Sequence, residues 1–263
     1  MALVSVAAVM CQGCSIKEDR SLCPCSFDLD FSHVERQVAE MTEVSVKAAD
    51  GFLYYDPEAG EGIVEESRDG VPSLLYNIKV PKESLEVTVV FGADGLFSPD
   101  SGILIPLGDE CPPVYMHYSE VNAFSEQYTE EVRLGKDYCR IRINMLASDK
   151  DYPFRLTVRG NVCGIRPDRS VVPGDFSFGF TLDDTGQGEV RVPRQTDNSL
   201  MLQILEDETV LREFALGEYI AETGYSWTDE NLEDIEVSID YAHSDISINV
   251  ESWAGSFEFD VVI

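Results

Sequence analysis

A cysteine near the start of the chain stands in a setting that suits covalent acylation. Residues 1–10 form a short apolar run, and Cys14 follows it after a glycine. The run is too short to cross the hydrocarbon layer of a bilayer as a helix, which takes about 20 residues. Its length suits the apolar region of an export signal, at the end of which a thiol can receive lipid. Residues 1–13 are therefore predicted to be a lipoprotein signal segment, with Cys14 as the lipidated residue.

The residues around this cysteine favour export to the outer surface of a cell. Small residues before a cysteine at the end of an apolar run resemble the lipobox of bacterial lipoproteins, and Cys14 fits that motif better than Cys11. Lys17, Glu18 and Asp19 follow at once and resemble a surface-export signal of outer-membrane lipoproteins. No Lys or Arg precedes the apolar run, so the true translation start is left open. The sequence predicts a chain anchored by lipid to the outer membrane.

The charge of the chain disfavours two classes of partner. Its 263 residues include 19 Lys and Arg against 49 Asp and Glu, a formal net charge of −30. Such a field repels phosphate backbones and anionic lipid headgroups, so we expect no nucleic-acid partner. No EF-hand-like calcium loop is present, and no metal or cofactor site is predicted.

Five cysteines remain after the signal and the lipidated residue are set aside. Cys23-Pro24-Cys25 lacks the spacing of a redox pair, and the sequence has no second cysteine pair that could complete a zinc site with it. Outside the cytoplasm a disulfide is compatible with this sequence, but its partners cannot be chosen from the sequence. The pairing is open among the following residues: Cys23, Cys25, Cys111, Cys139 and Cys163.

The elements that would carry these residues are mostly short strands. Apolar and polar residues alternate in residues 25–31 and 137–145, as half-buried strands require. A short helix is expected over residues 32–41, with a capping box of Ser32 and Glu35. Residues 96–130 contain four prolines and are expected to be a long loop with one or two short strands.

Further strands are expected at 43–48, 51–55, 73–80, 85–91, 152–160, 200–206, 235–241 and 246–253, with a helical turn at 228–232. Such spacing, with Gly- and Pro-rich turns, is typical of all-β sandwiches with a few short helices. The turn-rich residues 164–174 suggest a domain boundary. The expected division is a signal segment 1–13, a lipidated tether 14–25, an N-terminal β-sandwich 26–171 and a C-terminal β-sandwich 172–263.

The common catalytic patterns are absent from the sequence. Its three histidines, His33, His117 and His243, form no pair at metal-ligand spacing, and no nucleophile elbow or phosphate-binding loop occurs. Three pairs of neighbouring acids could mimic a glycosidase pair, but they sit in or beside turns where solvated acids are expected: Asp183-Asp184, Asp207-Glu208 and Asp229-Glu230. We expect a protein that is not an enzyme.

Several segments together carry a family resemblance. They are Cys14 with Lys17-Glu18-Asp19 and Cys23-Pro24, FRLTVRG at 154–160, LEDIEVSIDY at 232–241 and ISINVESW at 246–253. The chain resembles the FimB-like fimbrial anchor lipoproteins of type V fimbriae. The resemblance implies two tandem transthyretin-like β-sandwich domains, a lipid tether in the outer membrane, and attachment to fimbrial shaft or accessory subunits. It also implies that the chain fixes the fimbria to the cell and limits its length.

Subunits of this family join by strand addition, in which an extended segment of one chain completes a sheet of the next. The candidate segment is the terminal strand, with Phe257, Phe259, Val261 and Ile263 on one face, although it could equally be the last strand of its own sandwich. Members of the wider superfamily also serve as tip or shaft subunits, so anchor and tip or accessory roles stay open.

The alternative function is a surface adhesin that binds a glycan or a host protein. Five tyrosines could line a sugar platform: Tyr54, Tyr55, Tyr115, Tyr118 and Tyr128. Tyrosines in strands are more often core residues or cross-strand partners. An exposed, contiguous aromatic row would favour the adhesin, whereas buried tyrosines and an exposed edge strand would favour assembly.

Overall fold

The computed structural model describes residues 23–68, 71–146, 154–206, 209–240, 245–251 and 260–261, the last two segments by their backbone. Strands dominate these residues, and the expected all-β class is confirmed. Within the described residues, no helix has the length and apolar composition needed to cross a bilayer.

The described elements in chain order are β1 Cys25–Asp30, α1 Arg36–Ala39, β2 Glu43–Ala48, β3 Leu53–Asp56, a 3₁₀ turn Ala59–Gly62, β4 Val64–Arg68, β5 Val71–Val80, β6 Ser84–Phe91, β7 Phe97–Ser98, β8 Gly102–Leu104, β9 Tyr115–Asn122, β10 Gln127–Glu131, β11 Gly135–Lys136, β12 Tyr138–Leu146, β13 Arg155–Ile165, β14 Val171–Thr181, β15 Gln187–Pro193, β16 Met201–Glu206, β17 Thr209–Phe214, α2 Leu216–Glu222, β18 Asp234–Asp240, β19 Asp245–Glu251 and β20 Asp260–Val261.

Two sheets build the first sandwich. Sheet A has the order β10-β1-β5-β4, and sheet B has the order β11-β9-β6-β2-β3. Phe27 and Leu29 of sheet A share one apolar core with Val44 and Val87 of sheet B. All four side chains are fully buried, so this core holds the two sheets together.

Two further sheets build the second sandwich. Sheet C has the order β17-β16-β13-β8-β7, with β14 also paired to β13, and sheet D has the order β15-β12-β18-β19-β20. Leu156 and Ile204 of sheet C lie in one core with Ile141 and Val237 of sheet D. The chain therefore forms two sandwiches with separate main cores.

The position of the division corrects the expected one. Strands β12 and β13 were expected in the first unit, but β12 pairs with β15 and β18, and β13 pairs with β14 and β16. The hairpin β7–β8 also joins the second sandwich through β13. Apart from the β7–β8 hairpin, the sheets divide the chain near Asp137, whereas the boundary was expected between residues 171 and 172. The turn-rich residues 164–174 include the connection of the β13–β14 hairpin.

The two sandwiches repeat one arrangement of strands. In the first, β1 lies between β10, which runs parallel to it, and β5, which runs antiparallel. In the second, β12 lies between the parallel strand β18 and the antiparallel strand β15. Strands β1 and β12 are therefore matching interior strands of their sheets, as tandem copies of one fold would have them.

Alternation predicted the faces of β1 and β12 correctly. Ile141, Ile143 and Met145 point into the core, while Arg140 and Arg142 on the opposite face are only half-buried. A charged side chain in the core would cost several kcal/mol, so the polar face must turn outward.

Local structure departs from the predictions in a few places. The helix predicted for residues 32–41 is the single turn α1, because Ser32 Oγ donates to Asp30 and makes no capping box with Glu35. The expected loop 96–130 contains β7, β8, β9 and the start of β10. Residues 228–231 form the end of a turn and a bend rather than a helical turn, and the helix α2 was not predicted.

Candidate functional site: tether, edge strands and junction

The described chain begins within the last residues of the predicted tether, next to the first strand of the first sandwich. Cys14, Lys17, Glu18 and Asp19 lie outside the described residues, which begin at the exposed Cys23. Eight residues lie between positions 14 and 23, and the nine steps from one Cα to the next span about 30 Å when the chain is extended. A lipid on Cys14 would therefore hold the first sandwich within about 30 Å of the membrane surface.

The strand that follows this segment is held on both of its edges. Residues 26–30 of β1 pair with β10, and residues 25–30 pair with β5. Phe27, Leu29 and Phe31 are fully buried, and the ring of Phe27 stacks on Tyr128 at a centroid distance of 5.6 Å. Tension applied through the N-terminus would act along two hydrogen-bonded ladders and this core.

The predicted subunit-contact strand is described at two residues. Val261 pairs with Ile246 and Asp260 pairs with Ser247, which places β20 at an edge of sheet D. Phe257, Phe259 and Ile263 lie outside the described residues. The two described residues thus complete their own sheet, and exchange of this strand between chains stays a prediction.

A buried carboxylate occupies the connection between the sandwiches. Asp137 lies between β11 and β12, and its side chain is fully buried. Arg169 Nε donates to Asp137 Oδ2 at 2.9 Å, and Arg194 Nη2 donates to Asp137 Oδ1 at 2.9 Å. Gly135, two residues earlier, lies against the same guanidinium group, since a Cβ there would be 2.3 Å from Arg169 Nη2. We call Asp137, Arg169 and Arg194 the junction triad.

The junction triad ties three separated segments to the connection. Arg194 Nη1 donates to the carbonyl of Asp229 at 2.7 Å, and Arg169 Nη2 donates to the carbonyl of Glu230 at 2.8 Å. Arg169 adopts the left-handed region, with φ of 63°, at the β13–β14 turn. The triad therefore fixes this turn, the segment after β15 and the 227–230 loop around one carboxylate.

Apolar contacts extend the same junction. A small core cluster contains residues from both sandwiches. Val90 and Met116 of sheet B pack in it with Ile103 and Ile165 of sheet C. Tyr115 of sheet B meets Tyr138 edge to face, with ring centroids 5.7 Å apart. The sandwiches thus share a packed contact.

The five tyrosines do not form an exposed aromatic row. Tyr54 and Tyr128 pack against the first core, while Tyr115 packs against the second. Tyr55 tilts against Phe97, and Tyr118 lies on β9. Because these rings are scattered and mostly packed against the cores, their placement favours assembly over a tyrosine sugar platform.

The histidines and acid pairs also fall into separate surroundings. His33 pairs with Glu131 at the surface, and buried His117 accepts the amide hydrogen of Arg133 at Nδ1. Asp229 and Glu230 lie in the loop beside the junction triad, whereas Asp207, Glu208 and His243 lie outside the described residues. No group of three or more His, Cys, Asp or Glu side chains is arranged to hold a metal ion in the described part of the chain.

We predict a depressed pKa for Asp183. Its carboxylate accepts the hydroxyl and amide hydrogens of Thr185 and the amide hydrogen of Gln187, which lower its pKa below the ordinary 3.8. A lowered folded-state pKa means that this turn is stabilised above about pH 4 and loses the contribution as the pH falls through the folded value. Carboxyl NMR titration should show Thr185→Val raising the Asp183 pKa, with Thr157→Val leaving it unchanged. The same Asp183 pKa in the wild type, Thr185→Val and Thr157→Val would contradict these hydrogen bonds as the cause of the shift.

None of the five described cysteines forms a disulfide. Burial raises the pKa of the Cys111 thiol, and it raises that of Cys139 to about 12. Cys23 is exposed, whereas Cys163 is half-buried.

We therefore predict that N-ethylmaleimide at pH 8 labels Cys23 on the order of 100-fold faster than Cys111 and Cys139, because labelling needs an accessible thiolate. Peptide mass spectrometry measures each site, and unfolding in urea should equalise the three. Equal labelling of the folded chain would contradict the described burial.

Comparisons with known proteins identify the fold. No protein-family model matches the chain, and no curated protein matches it. A candidate polysaccharide-binding protein from Bacteroides thetaiotaomicron aligns with a TM-score of 0.63 at 14% identity, over 89% of this chain and 98% of the other. A candidate adhesin from Bacteroides ovatus aligns with a TM-score of 0.57 at 12% identity, over 93% of this chain and 97% of the other.

The fimbrial anchor protein Mfa2 from Porphyromonas gingivalis aligns with a TM-score of 0.53 at 10% identity, over 89% of this chain and 100% of the other. The chain is thus similar in fold, over nearly the full length of each, to proteins described as a fimbrial anchor and as a candidate adhesin. The fold expected from the family resemblance is confirmed.

Proposed function

We propose that this chain is a non-enzymatic fimbrial subunit that acts as a lipid-tethered anchor. Cys14 carries the lipid in the outer membrane, Lys17, Glu18 and Asp19 direct the chain to the cell surface, and the sandwiches hold the fimbria and limit its length. The observation that carries the proposal is the position of β1. This strand follows the tether directly and is an interior strand of sheet A, so it can bear a pull between membrane and fibre.

The fimbrial part of the proposal rests on the fold and on sheet edges. Proteins of similar fold include one named a fimbrial anchor. Residues 257–263 are the segment we propose for strand addition to a shaft or accessory subunit, since β20 occupies an edge of sheet D. Backbone hydrogen bonds along an edge give affinity, and alternate side chains give register.

The anchor role requires that β1 stays in the chain. Arg20 precedes β1, whereas Arg36 follows it in α1 and forms ion pairs with Glu40 and Glu65. Cleavage after Arg36 would remove β1 and with it Phe27 from the core of the first sandwich. We propose that the mature chain begins at Cys14 and keeps this strand.

The second candidate is an adhesin of the tip type that binds a glycan or host protein. It is favoured by the similar fold of a candidate polysaccharide-binding protein and a candidate adhesin. The scattered tyrosines give it no platform among the described residues.

The test is incorporation of radiolabelled palmitate in cells that carry the wild type, Cys14→Ala or the matched control Cys23→Ala. The proposal expects label in the wild type and the control, no label in Cys14→Ala, and fimbriae that are shed or lengthened in that variant alone. Mass spectrometry of the mature N-terminus should find acylated Cys14. Label lost with unchanged fimbriae would favour the adhesin, and an unlabelled wild type would refute the tether.

A further inference from the structure

The outer face of sheet C carries a shallow trough of about 740 Å³. Leu156 and Val158 of β13 lie in the second core. Because side chains alternate along a strand, Arg155, Thr157 and Arg159 lie on the opposite face. Thr157 and Arg159 line the trough together with residues of β14, β16 and β17. The trough therefore faces away from the core of its sandwich.

Apolar side chains are exposed along this trough. Leu107, which is 70% exposed, lines it with the half-buried Met201 and Leu205 of β16. Val210 of β17 lies opposite Leu205 in the strand register and is 47% exposed. Single exposed apolar side chains are ordinary, but a group of them on one face of a sheet indicates contact with another molecule. The outer face of sheet C thus has the composition of an interface.

Two arginines on the same face lack a counter-charge. Arg155 and Arg159 are exposed, and within the part of the chain that the structure describes neither guanidinium group forms an ion pair. The outer face of sheet D differs, because Arg140 Nε lies 3.4 Å from a carboxylate oxygen of Glu189 and 3.8 Å from one of Asp234. In a chain with a formal net charge of −30, the two unpaired guanidinium groups form a local positive site.

The charges at the trough restrict the chemistry of a partner. Two carboxylates line it: Glu213, which accepts a hydrogen bond from Gln203 Nε2 at 2.5 Å, and the exposed Asp175. Neither forms an ion pair with Arg155 or Arg159. The net charge of the chain repels nucleic acid and anionic lipid headgroups. A protein segment that offers both carboxylates and apolar side chains complements the arginines and the exposed apolar group.

We propose that this trough docks an acidic segment with apolar side chains from a neighbouring fimbrial subunit. Carboxylates of that segment pair with Arg155 and Arg159, and its apolar side chains pack on Leu107 and Leu205. The inference rests on the proposed function, which supplies the fimbrial partner. It adds a contact on the face of sheet C, separate from strand addition at β20, which occupies an edge of sheet D. Complementary charges of this kind fix the orientation of a partner and speed its association.

The test measures binding of the full chain, in detergent, to fimbriae sheared from cells that lack this chain. One variant combines Arg155→Glu with Arg159→Glu, and a second carries Leu107→Ser. The matched control combines Arg36→Glu with Arg133→Glu, since it changes the net charge by the same amount at side chains of the first sandwich that are 58% and 63% exposed. Biolayer interferometry gives the affinities, and thermal unfolding shows whether each variant is folded.

We expect affinity at least about tenfold weaker in each trough variant and unchanged in the control. Binding of the wild type should also weaken as the salt concentration rises from about 0.05 to about 0.5 M, because salt screens exposed charges. Unchanged binding in both folded trough variants would overturn the trough and leave the fimbrial role intact. An equal loss in the control would also overturn it. A wild type that binds no fimbriae would overturn the fimbrial role together with the trough.

Discussion

Asp137→Ala is expected to lower the free energy of unfolding by about 3–5 kcal/mol, because it leaves two guanidinium groups without their buried counter-charge. Arg169 and Arg194 both donate to this fully buried carboxylate. Removal of one partner of a buried ion pair costs far more than removal of an exposed one. Urea unfolding followed by tryptophan fluorescence measures the change.

Two further variants separate charge from shape at the junction. Asp137→Asn keeps the size of the side chain and can still accept a hydrogen bond. Its free energy of unfolding should therefore lie between that of the wild type and that of Asp137→Ala. Asp184→Ala removes an exposed carboxylate from a turn, and we expect a change within about 0.5 kcal/mol. A loss below about 1 kcal/mol for Asp137→Ala would show that the triad does not hold the connection.

Phe27→Ala is the second large effect, with an expected loss of about 3–5 kcal/mol. The ring is fully buried in β1 and stacks on Tyr128 of the neighbouring strand β10. Its removal leaves a cavity in the core that β1 covers, so both the free energy of unfolding and the resistance to a pull on the N-terminus should fall. Denaturant unfolding gives the first quantity, and single-molecule pulling from the N-terminus gives the second.

The matched control for Phe27 is Met41→Ala in the same sandwich. Met41 is 60% exposed, so the free energy of unfolding should change by about 0.5 kcal/mol or less. Equal losses in the free energy of unfolding for the two variants would contradict the described core. An unchanged unfolding force in Phe27→Ala would show that β1 does not carry the pull.

Local pattern was enough to predict the class of fold and many strands. The alternation in β1 and β12 places Phe27 and Ile141 inside, because the face on which a side chain lies depends only on its position along its own strand. The helix at 32–41 failed because Ser32 bonds back to Asp30, a competing local contact that the capping pattern does not reveal. Helix α2 was missed although Leu216 and Ile220, four residues apart, both point into the core.

The domain division and the junction could not be predicted in the same way. Arg169 lies 32 residues after Asp137 in the sequence, and Arg194 lies 57 residues after it. Nothing in the local sequences of these residues links them. The β7–β8 hairpin joins the second sandwich through β13, a pairing that only the three-dimensional course of the chain decides. The Pro- and Gly-rich residues 164–174 resembled a linker because a hairpin turn and a linker share their composition.

The anchor claim is tested most directly by the position of the chain along a fimbria. Immunogold electron microscopy of intact cells, with an antibody against this chain, locates it at the base, the shaft or the free tip. The proposed function predicts gold at the membrane-proximal base of the fibres, and its loss from the cell surface in Cys14→Ala. Gold at the free tips or along the shafts would contradict the anchor.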